Sequence, residues 1–425
     1  MALGVGVIGA GTVGGGVIET LLANAGVIRD KAGVDVALRH VADLNQQALA
    51  EFDLDGVQVS NDAQALIDDP EVQVVCELIG GLNPAKRFIE AALRAGKHVV
   101  TANKMLLAHH GPELSALAME NGVTLRFEAA VAGTIPIIKA VRETLAANHI
   151  HGVYGILNGT CNYILTRMQE EELEFDDALA QAIELGFAER PPDLDIEGHD
   201  TAHKCQILAS LCFNTKVSLD DIYVEGITSV TQLDVIYADE LGYDIKLLAI
   251  ARRVEGEIEA RVHPTLVPQD HLLASVRREF NAVYVDSDIA DKTFFYGRGA
   301  GKFPTASAVV ADIVDIALLG NTPPRAAFSY THELGVREIG MSRGRYYLRL
   351  TTQDHPGTLG HICTTLGKHG VSIATCFQHE ESDAAPAHVV IMSHTALESA
   401  VKQAVEEIDA QDFITEPTRL LRVLA

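Results

Sequence analysis

The chain has 425 residues, enough for two or three domains, and 48% of them are hydrophobic, which supplies real cores. Its net charge of −25 excludes nucleic acid and anionic membrane surfaces as partners, because either would repel it. The six cysteines form no C-x-x-C pair, there is no basic leader and no apolar run reaches the ~18 residues of a membrane helix, so the expectation is a cytoplasmic protein with neither a disulfide framework nor a zinc ribbon.

Residues 3–8 are an apolar run that predicts a buried strand, and Gly9-Ala10-Gly11-Thr12-Val13-Gly14 then opens a helical pattern. Strand, G-x-G-x-x-G and helix in that order predict a dinucleotide site for NAD or NADP. The glycines allow a tight turn and close approach of a pyrophosphate, and the helix start offers free N–H groups at Gly11, Thr12, Val13 and Gly14. Residues 24–33 look like an inserted loop. A second strand, 34–42, ends at Asp43, where an acid suits the ribose 2′-hydroxyl of NAD. Ala42 supplies no positive charge for a 2′-phosphate, and the nearest arginine, Arg39, lies within the strand; the alternative role for Asp43 is a cap for a helix over 45–52. Residues 72–79 predict a strand running into Gly80-Gly81, 85–95 a helix ending at Gly96, and 98–101 a strand that delivers Asn103-Lys104. This alternation predicts an α/β Rossmann-type, doubly wound parallel sheet, with Gly9, Gly80 and Lys104 at the strand ends where ligands sit. A strand at 123–127 leads into Glu128 and a loop of small residues ending at Pro136, a tight turn at a domain hinge.

A β run at 152–157 precedes a helix starting near Asn158, and a helix at 177–185 stops at Gly186. Residues 189–198 predict a loop that is rich in acids and carries Pro191 and Pro192. The following helix, 199–211, places Asp200 and Lys204 four residues apart on one face. From these residues alone the pair reads as a surface ion pair or as part of a substrate pocket. Strands at 246–254, 260–264 and 283–287 predict a second sheet. The glycine-rich stretch 297–307 precedes a helix at 308–319, and 320–344 is a linker. From 346 the order βαββαβ is ferredoxin-like, with Asp354-His355-Pro356-Gly357-Thr358-Leu359 in its first turn.

Gly186-Phe187-Ala188-Glu189, a proline, then Asp195-x-x-Gly198-x-Asp200-x-x-x-Lys204 resembles the signature of homoserine dehydrogenases, departing only at Pro191, where a small acidic or polar residue is usual. Further matches lie at 96–104 (GKHVVTANK), 157–165 (LNGTCNYIL) and 297–307, and the C-terminal segment resembles an ACT domain. The resemblance implies three parts: a dinucleotide-binding domain over 1–135, completed by about 304–320; an α+β substrate and dimerisation domain over 136–303; and, after the linker, an ACT module over 345–425. It implies NAD(P)-dependent reduction of L-aspartate 4-semialdehyde to L-homoserine by a homodimer or homotetramer. Lys204 would handle the proton and Lys104 would lie by cofactor and substrate. Glu189 and Asp200 would hold the substrate, with Asp195 supporting Lys204, and Gly186 and Gly301 would border the cofactor. A monovalent cation, sodium, would sit on Glu128 and the carbonyls of Val131, Gly133 and Ile135. Threonine would be an effector at Asp354 and the backbone of Gly357. The alternatives are another amino-acid oxidoreductase on this framework, or a non-catalytic amino-acid sensor.

Overall fold

The computed structural model describes residues 2–188, 190–320, 322–379 and 386–424, apart from the side chains of residues 46 and 48. The chain divides into two compact units: residues 1–159, 203–219 and 280–334 form the first, and 160–202, 220–279 and 335–425 the second.

The first unit starts with β1 (Leu3–Ile8), α1 (Thr12–Ala23), α2 (Ala25–Ala32), β2 (Val36–Ala42), α3 (Gln46–Leu49), β3 (Gln58–Ser60), α4 (Ala63–Asp68), β4 (Val74–Glu77), α5 (Ala85–Arg94), β5 (His98–Thr101), α6 (Lys104–Glu120) and β6 (Leu125–Arg126). The strands pair in the parallel order β3-β2-β1-β4-β5-β6, so strand order reverses between β1 and β4. In such sheets the crevice at that reversal receives the ligand. Val5, Val7, Val41, Val74, Cys76 and Val100 build its core. The segment expected as a loop at 24–33 is helix α2, closed by Gly33 at φ 69°. Only Ile28 of that helix is buried, so it carries no apolar stripe for a sequence pattern to show.

A 3₁₀ turn at Glu128–Ala130 leads to α7 (Ile137–Lys139), β7 (Ile150–Ile156), α8 (Gly159–Glu171), α9 (Phe175–Glu184), α10 (Asp193–Ile196) and α11 (His199–Phe213). Helix α9 stops at Gly186, φ 75°, where the N–H groups of Gly186 and Phe187 donate back to the carbonyls of Ile183 and Ala182. The expected loop at 189–198 contains the helical turn α10, entered through Pro192, whose fixed φ suits a helix start. Next come β8 (Tyr223–Val224), α12 (Gln232–Glu240), β9 (Tyr243–Val254), β10 (Glu257–Pro268), β11 (Phe280–Ser287), β12 (Asp291–Arg298) and α13 (Lys302–Leu319). In the first unit β11 lies antiparallel between β7 and β12; in the second, β9 and β10 form a long hairpin. Helix α13 begins at Lys302, six residues before the expected start, because Pro304 falls in its first turn, where no N–H is required. It lies on α1 so closely that a Cβ on Gly16 would come within 2.6 Å of the Lys302 carbonyl oxygen.

The C-terminal part consists of β13 (Arg343–Thr352), α14 (Thr358–Lys368), β14 (Ile373–Gln378), β15 (Ala387–Ser393), β16 (Ala396–Leu397), α15 (Glu398–Asp409) and β17 (Ile414–Val423). The antiparallel order β17-β13-β15-β14, with two helices packed on Tyr346, Leu348, Val389 and Ile391, is the expected ferredoxin-like fold. Within the second unit β17 also runs parallel to β10, with Leu266 opposite Val423, so the module extends the β9–β10 sheet. Two ion pairs reach across from the module to its neighbours in the second unit, Arg349 with Asp234 at 2.6 Å and Arg422 with Glu225 at 2.7 Å, while Glu398 holds Arg422 within the module at 2.6 Å. Among the described residues no helix is long and apolar enough to cross a membrane.

Candidate active site

The glycine loop between β1 and α1 has the geometry that its chemistry requires. Gly9 has φ 94°, a region that side-chain-bearing residues rarely adopt. A Cβ on Gly14 would lie 1.8 Å from the Gly9 carbonyl oxygen, so the turn closes only on glycine. Gly11 is different: a Cβ there would meet nothing within 4 Å, which leaves an open approach at the start of α1, whose cap has no side-chain partner. An N-terminus of this kind, with unspent N–H groups and positive dipole, fits a pyrophosphate. Asp43, at the end of β2, is built into the same loop. Its Oδ2 accepts the Ala10 N–H at 2.5 Å and its Oδ1 the Asn45 N–H at 2.7 Å. The carboxylate therefore stands at the lip of the glycine loop in a fixed orientation. Arg39 is turned to Glu71, 3.7 Å away.

Strand β4 ends at Glu77, fully buried, a residue that the sequence reading did not single out. Its carboxylate accepts the N–H groups of Ile79 and Gly80 at 2.9 and 3.2 Å and the Thr101 hydroxyl at 2.8 Å. Asn103 donates to the Gly81 carbonyl at 2.7 Å and accepts the Leu106 N–H at 3.1 Å, so it caps α6. Glu77 and Asn103 thus fix the Gly80-Gly81 turn, with both φ values near 70–75°, against the start of the helix that carries Lys104 at its first position. The available signal was an acid ending an otherwise apolar strand just before two glycines.

Lys204, only 9% exposed, lies in the part of α11 that belongs to the first unit, and its Nζ donates to the Leu157 carbonyl at 2.7 Å. A buried lysine held by a carbonyl is oriented rather than solvated, so the surface-ion-pair reading of Asp200 and Lys204 fails on burial: Asp200 is 8% exposed. Asp195 lies on α10 in the second unit. The turn is held by the Cys161 thiol donating to the Asp195 carbonyl at 3.1 Å and by the Ile227 N–H donating to the Ile196 carbonyl at 2.8 Å. Glu189 lies outside the described residues.

Glu128 is 6% exposed, and its two carboxylate oxygens accept the N–H groups of Ile138 and Lys139 at 2.8 Å each, while its own N–H donates to Asp312. Burial pushes the Glu128 carboxyl up to about 7, against the lowering effect of those two bonds. Ala132 and Gly133 have φ 56° and 57°, and a Cβ on Gly133 would lie 2.4 Å from the Gly299 carbonyl oxygen, so the loop is pressed onto the 297–301 stretch. Gly301, φ 118°, precedes α13. Gly357, φ 101°, precedes α14, and a Cβ there would meet nothing within 4 Å; backbone conformation, not crowding, is what calls for glycine.

Residues 136–314 match the homoserine dehydrogenase family, residues 9–128 the homoserine dehydrogenase NAD binding domain and residues 346–413 the ACT domain. Homoserine dehydrogenase of Neisseria gonorrhoeae is 42% identical over 426 residues, covering 99% of this chain and 98% of that one. The crystal structure of a homoserine dehydrogenase from Thiobacillus denitrificans matches with a TM-score of 0.94 at 42% identity, covering 100% of this chain and 98% of that chain. The chain belongs to the homoserine dehydrogenase family. It is an NAD(P)-dependent oxidoreductase that interconverts L-aspartate 4-semialdehyde and L-homoserine in amino-acid biosynthesis. A hyperthermophilic archaeal homoserine dehydrogenase solved in complex with NADPH matches more distantly, with a TM-score of 0.64 and 26% identity over 76% of this chain and 100% of that one.

Proposed function

We propose that Lys204 is the proton donor of aldehyde reduction. The dinucleotide, when bound, supplies the hydride. As the aldehyde carbon gains that hydride, the carbonyl π pair moves onto oxygen, and a Lys204 Nζ–H gives its proton to that oxygen, leaving a neutral amine that solvent recharges; homoserine oxidation runs the same transfer backwards. The observation that carries this is the 2.7 Å bond from Nζ to the Leu157 carbonyl, which fixes the buried Lys204 side chain. Asp200 and Glu189 then take the substrate ammonium, Asp195 supports Lys204, and Lys104 is the second cation of the reacting region. Gly9, Gly11, Thr12, Val13, Gly14, Gly80, Gly186 and Gly301 border the cofactor. The test is Lys204→Ala: kcat falls by ~10²–10⁴ while nucleotide affinity stays within about twofold. Near-normal turnover in the folded variant removes Lys204 from the chemistry.

For the cofactor, Asp43 favours NAD(H), since its fixed carboxylate would repel a 2′-phosphate and Ala42 offers no compensating charge. A monovalent cation, sodium, on Glu128 and the carbonyls of Val131, Gly133 and Ile135 would tie the hinge loop together, because oxygen ligands suit a hard ion. Thermal stabilisation by sodium but not tetramethylammonium chloride, lost in Glu128→Gln, checks this. Threonine is the proposed effector at Asp354 and Gly357. Since β17 completes the β10 sheet, deleting the module would disrupt the second unit, so the clean test is threonine inhibition of the full chain beside Asp354→Ala. The assembly is a homodimer or homotetramer, which sedimentation equilibrium distinguishes.

A further inference from the structure

We propose that a cavity of about 350 Å³ on the first unit, between β6 and the end of α13, binds the oxyanion group of a small metabolite, a carboxylate or a phosphate. In a chain of net charge −25, three arginines converge on its walls: Arg126, Arg142 and Arg325. Two acids also line it, but both are engaged. Glu143 pairs with Arg126 at 3.1 Å, and Asp315 receives the Lys139 ammonium at 2.6 and 2.8 Å, with Arg126 at 3.7 Å. Two guanidiniums are left with unspent donors. Arg142 donates one N–H to the Ala326 carbonyl at 2.7 Å and no other to a described residue, and Arg325 bonds to no described residue. Burial and the neighbouring Arg126 charge push the Arg142 guanidinium below its usual range, against the opposing charges of Glu143, Asp312 and Glu128. A second observation points the same way. Thr124, 5% exposed, lines the cavity, and its buried hydroxyl has no hydrogen-bond partner among the described residues. Buried hydroxyls are normally satisfied. Forked guanidinium donors beside a neutral hydroxyl donor match the oxygens of a carboxylate or phosphate. None of these residues belongs to the nucleotide loop, to the cation loop from 128 to 135 or to the 186–204 signature.

The experiment is isothermal titration of the full chain with succinate and, separately, inorganic phosphate at constant ionic strength, the two arms distinguishing carboxylate from phosphate ligands. Wild type should bind one of them saturably at one site per chain. Arg325→Ala, exposed and without described partners, should weaken that binding at least tenfold, and Arg142→Lys, which keeps the charge but loses the fork, should do likewise. Circular dichroism melts verify that both variants fold. Binding of neither anion, or binding that is unchanged in Arg325→Ala and therefore located elsewhere, overturns the proposal.

Discussion

Replacing Asp234 with alanine should be among the most damaging single changes outside the reacting region. Asp234 is 1% exposed and its carboxylate serves two tasks. It closes the capping box of α12, accepting the Thr231 N–H at 3.0 Å and the Thr231 hydroxyl at 2.8 Å. It also receives the Arg349 guanidinium at 2.6 and 3.2 Å and the Tyr347 hydroxyl at 3.3 Å, which joins β13 of the C-terminal module to α12. Arg349 is itself 3% exposed. Burial works against its charge, and the Asp234 hydrogen bond and charge outweigh that and hold it protonated. Stranding a buried cation costs about 3–5 kcal/mol, and losing the cap adds about 1 kcal/mol. The expected loss is therefore roughly 4–6 kcal/mol. Urea unfolding followed by circular dichroism on Asp234→Ala, Arg349→Leu and the double variant measures it. The double variant should recover about 2–3 kcal/mol relative to additivity, because no charge is then left unpaired. A loss under about 1 kcal/mol for Asp234→Ala, or strict additivity, would refute the reasoning.

Gly11→Ala should fold with an unchanged melting temperature yet bind nucleotide at least tenfold more weakly, since its Cβ meets only open space where the pyrophosphate approaches. Gly14→Ala should lower the melting temperature as well, because its Cβ would lie 1.8 Å from the Gly9 carbonyl oxygen; calorimetry and nucleotide titration separate the two. The kcat/KM for NADH should at least equal that for NADPH, and a strong NADPH preference would show that Asp43 does not face the ribose. Lys246 is buried, donates to the Val276 carbonyl at 2.6 Å, and is pushed down to about 7, first by burial and then by the nearby Arg277 charge. The unfolded chain keeps that proton up to the ordinary lysine range, so at this group it binds more protons than the fold between about pH 7 and 10.5, and the Lys246 contribution to stability rises with pH across that window. From pH 7 to 9 wild type should gain about 2 kcal/mol relative to Lys246→Met. An equal pH slope in both proteins would exclude Lys246 as its source.

Much of this was legible in the chain because local chemistry and fold agree. Gly9, Gly11 and Gly14 follow an apolar strand and open a helix, and the structure makes the turn they imply. The signature from Gly186 to Lys204 was legible as a helix stop, a loop and a second helix, and burial then spoke against the surface reading of Asp200 and Lys204. What was missed has physical causes. Helix α6 contains Gly111 and Pro112, which argue against a helix, yet Gly111 is needed because a Cβ would come within 2.6 Å of the Phe328 ring. Strand β12 is mostly exposed and shows no clean alternation. Glu77 accepts the Thr101 hydroxyl from a strand 24 residues on, and Asn103 donates to the Gly81 carbonyl 22 residues back, pairings that no periodicity encodes. The junction of β17 with β10 is likewise a long-range pairing, invisible in a reading that treats 320–344 as a simple linker.

The most direct measurement is chemical rescue of Lys204→Ala during reduction of aspartate semialdehyde, with methylammonium and tetramethylammonium chloride added at equal ionic strength. If Lys204 supplies the proton, methylammonium restores turnover in proportion to its concentration and tetramethylammonium, which carries the charge but no N–H, does not. Equal stimulation by both cations would reduce Lys204 to an electrostatic role, and a variant as active as wild type without either would contradict the assignment outright.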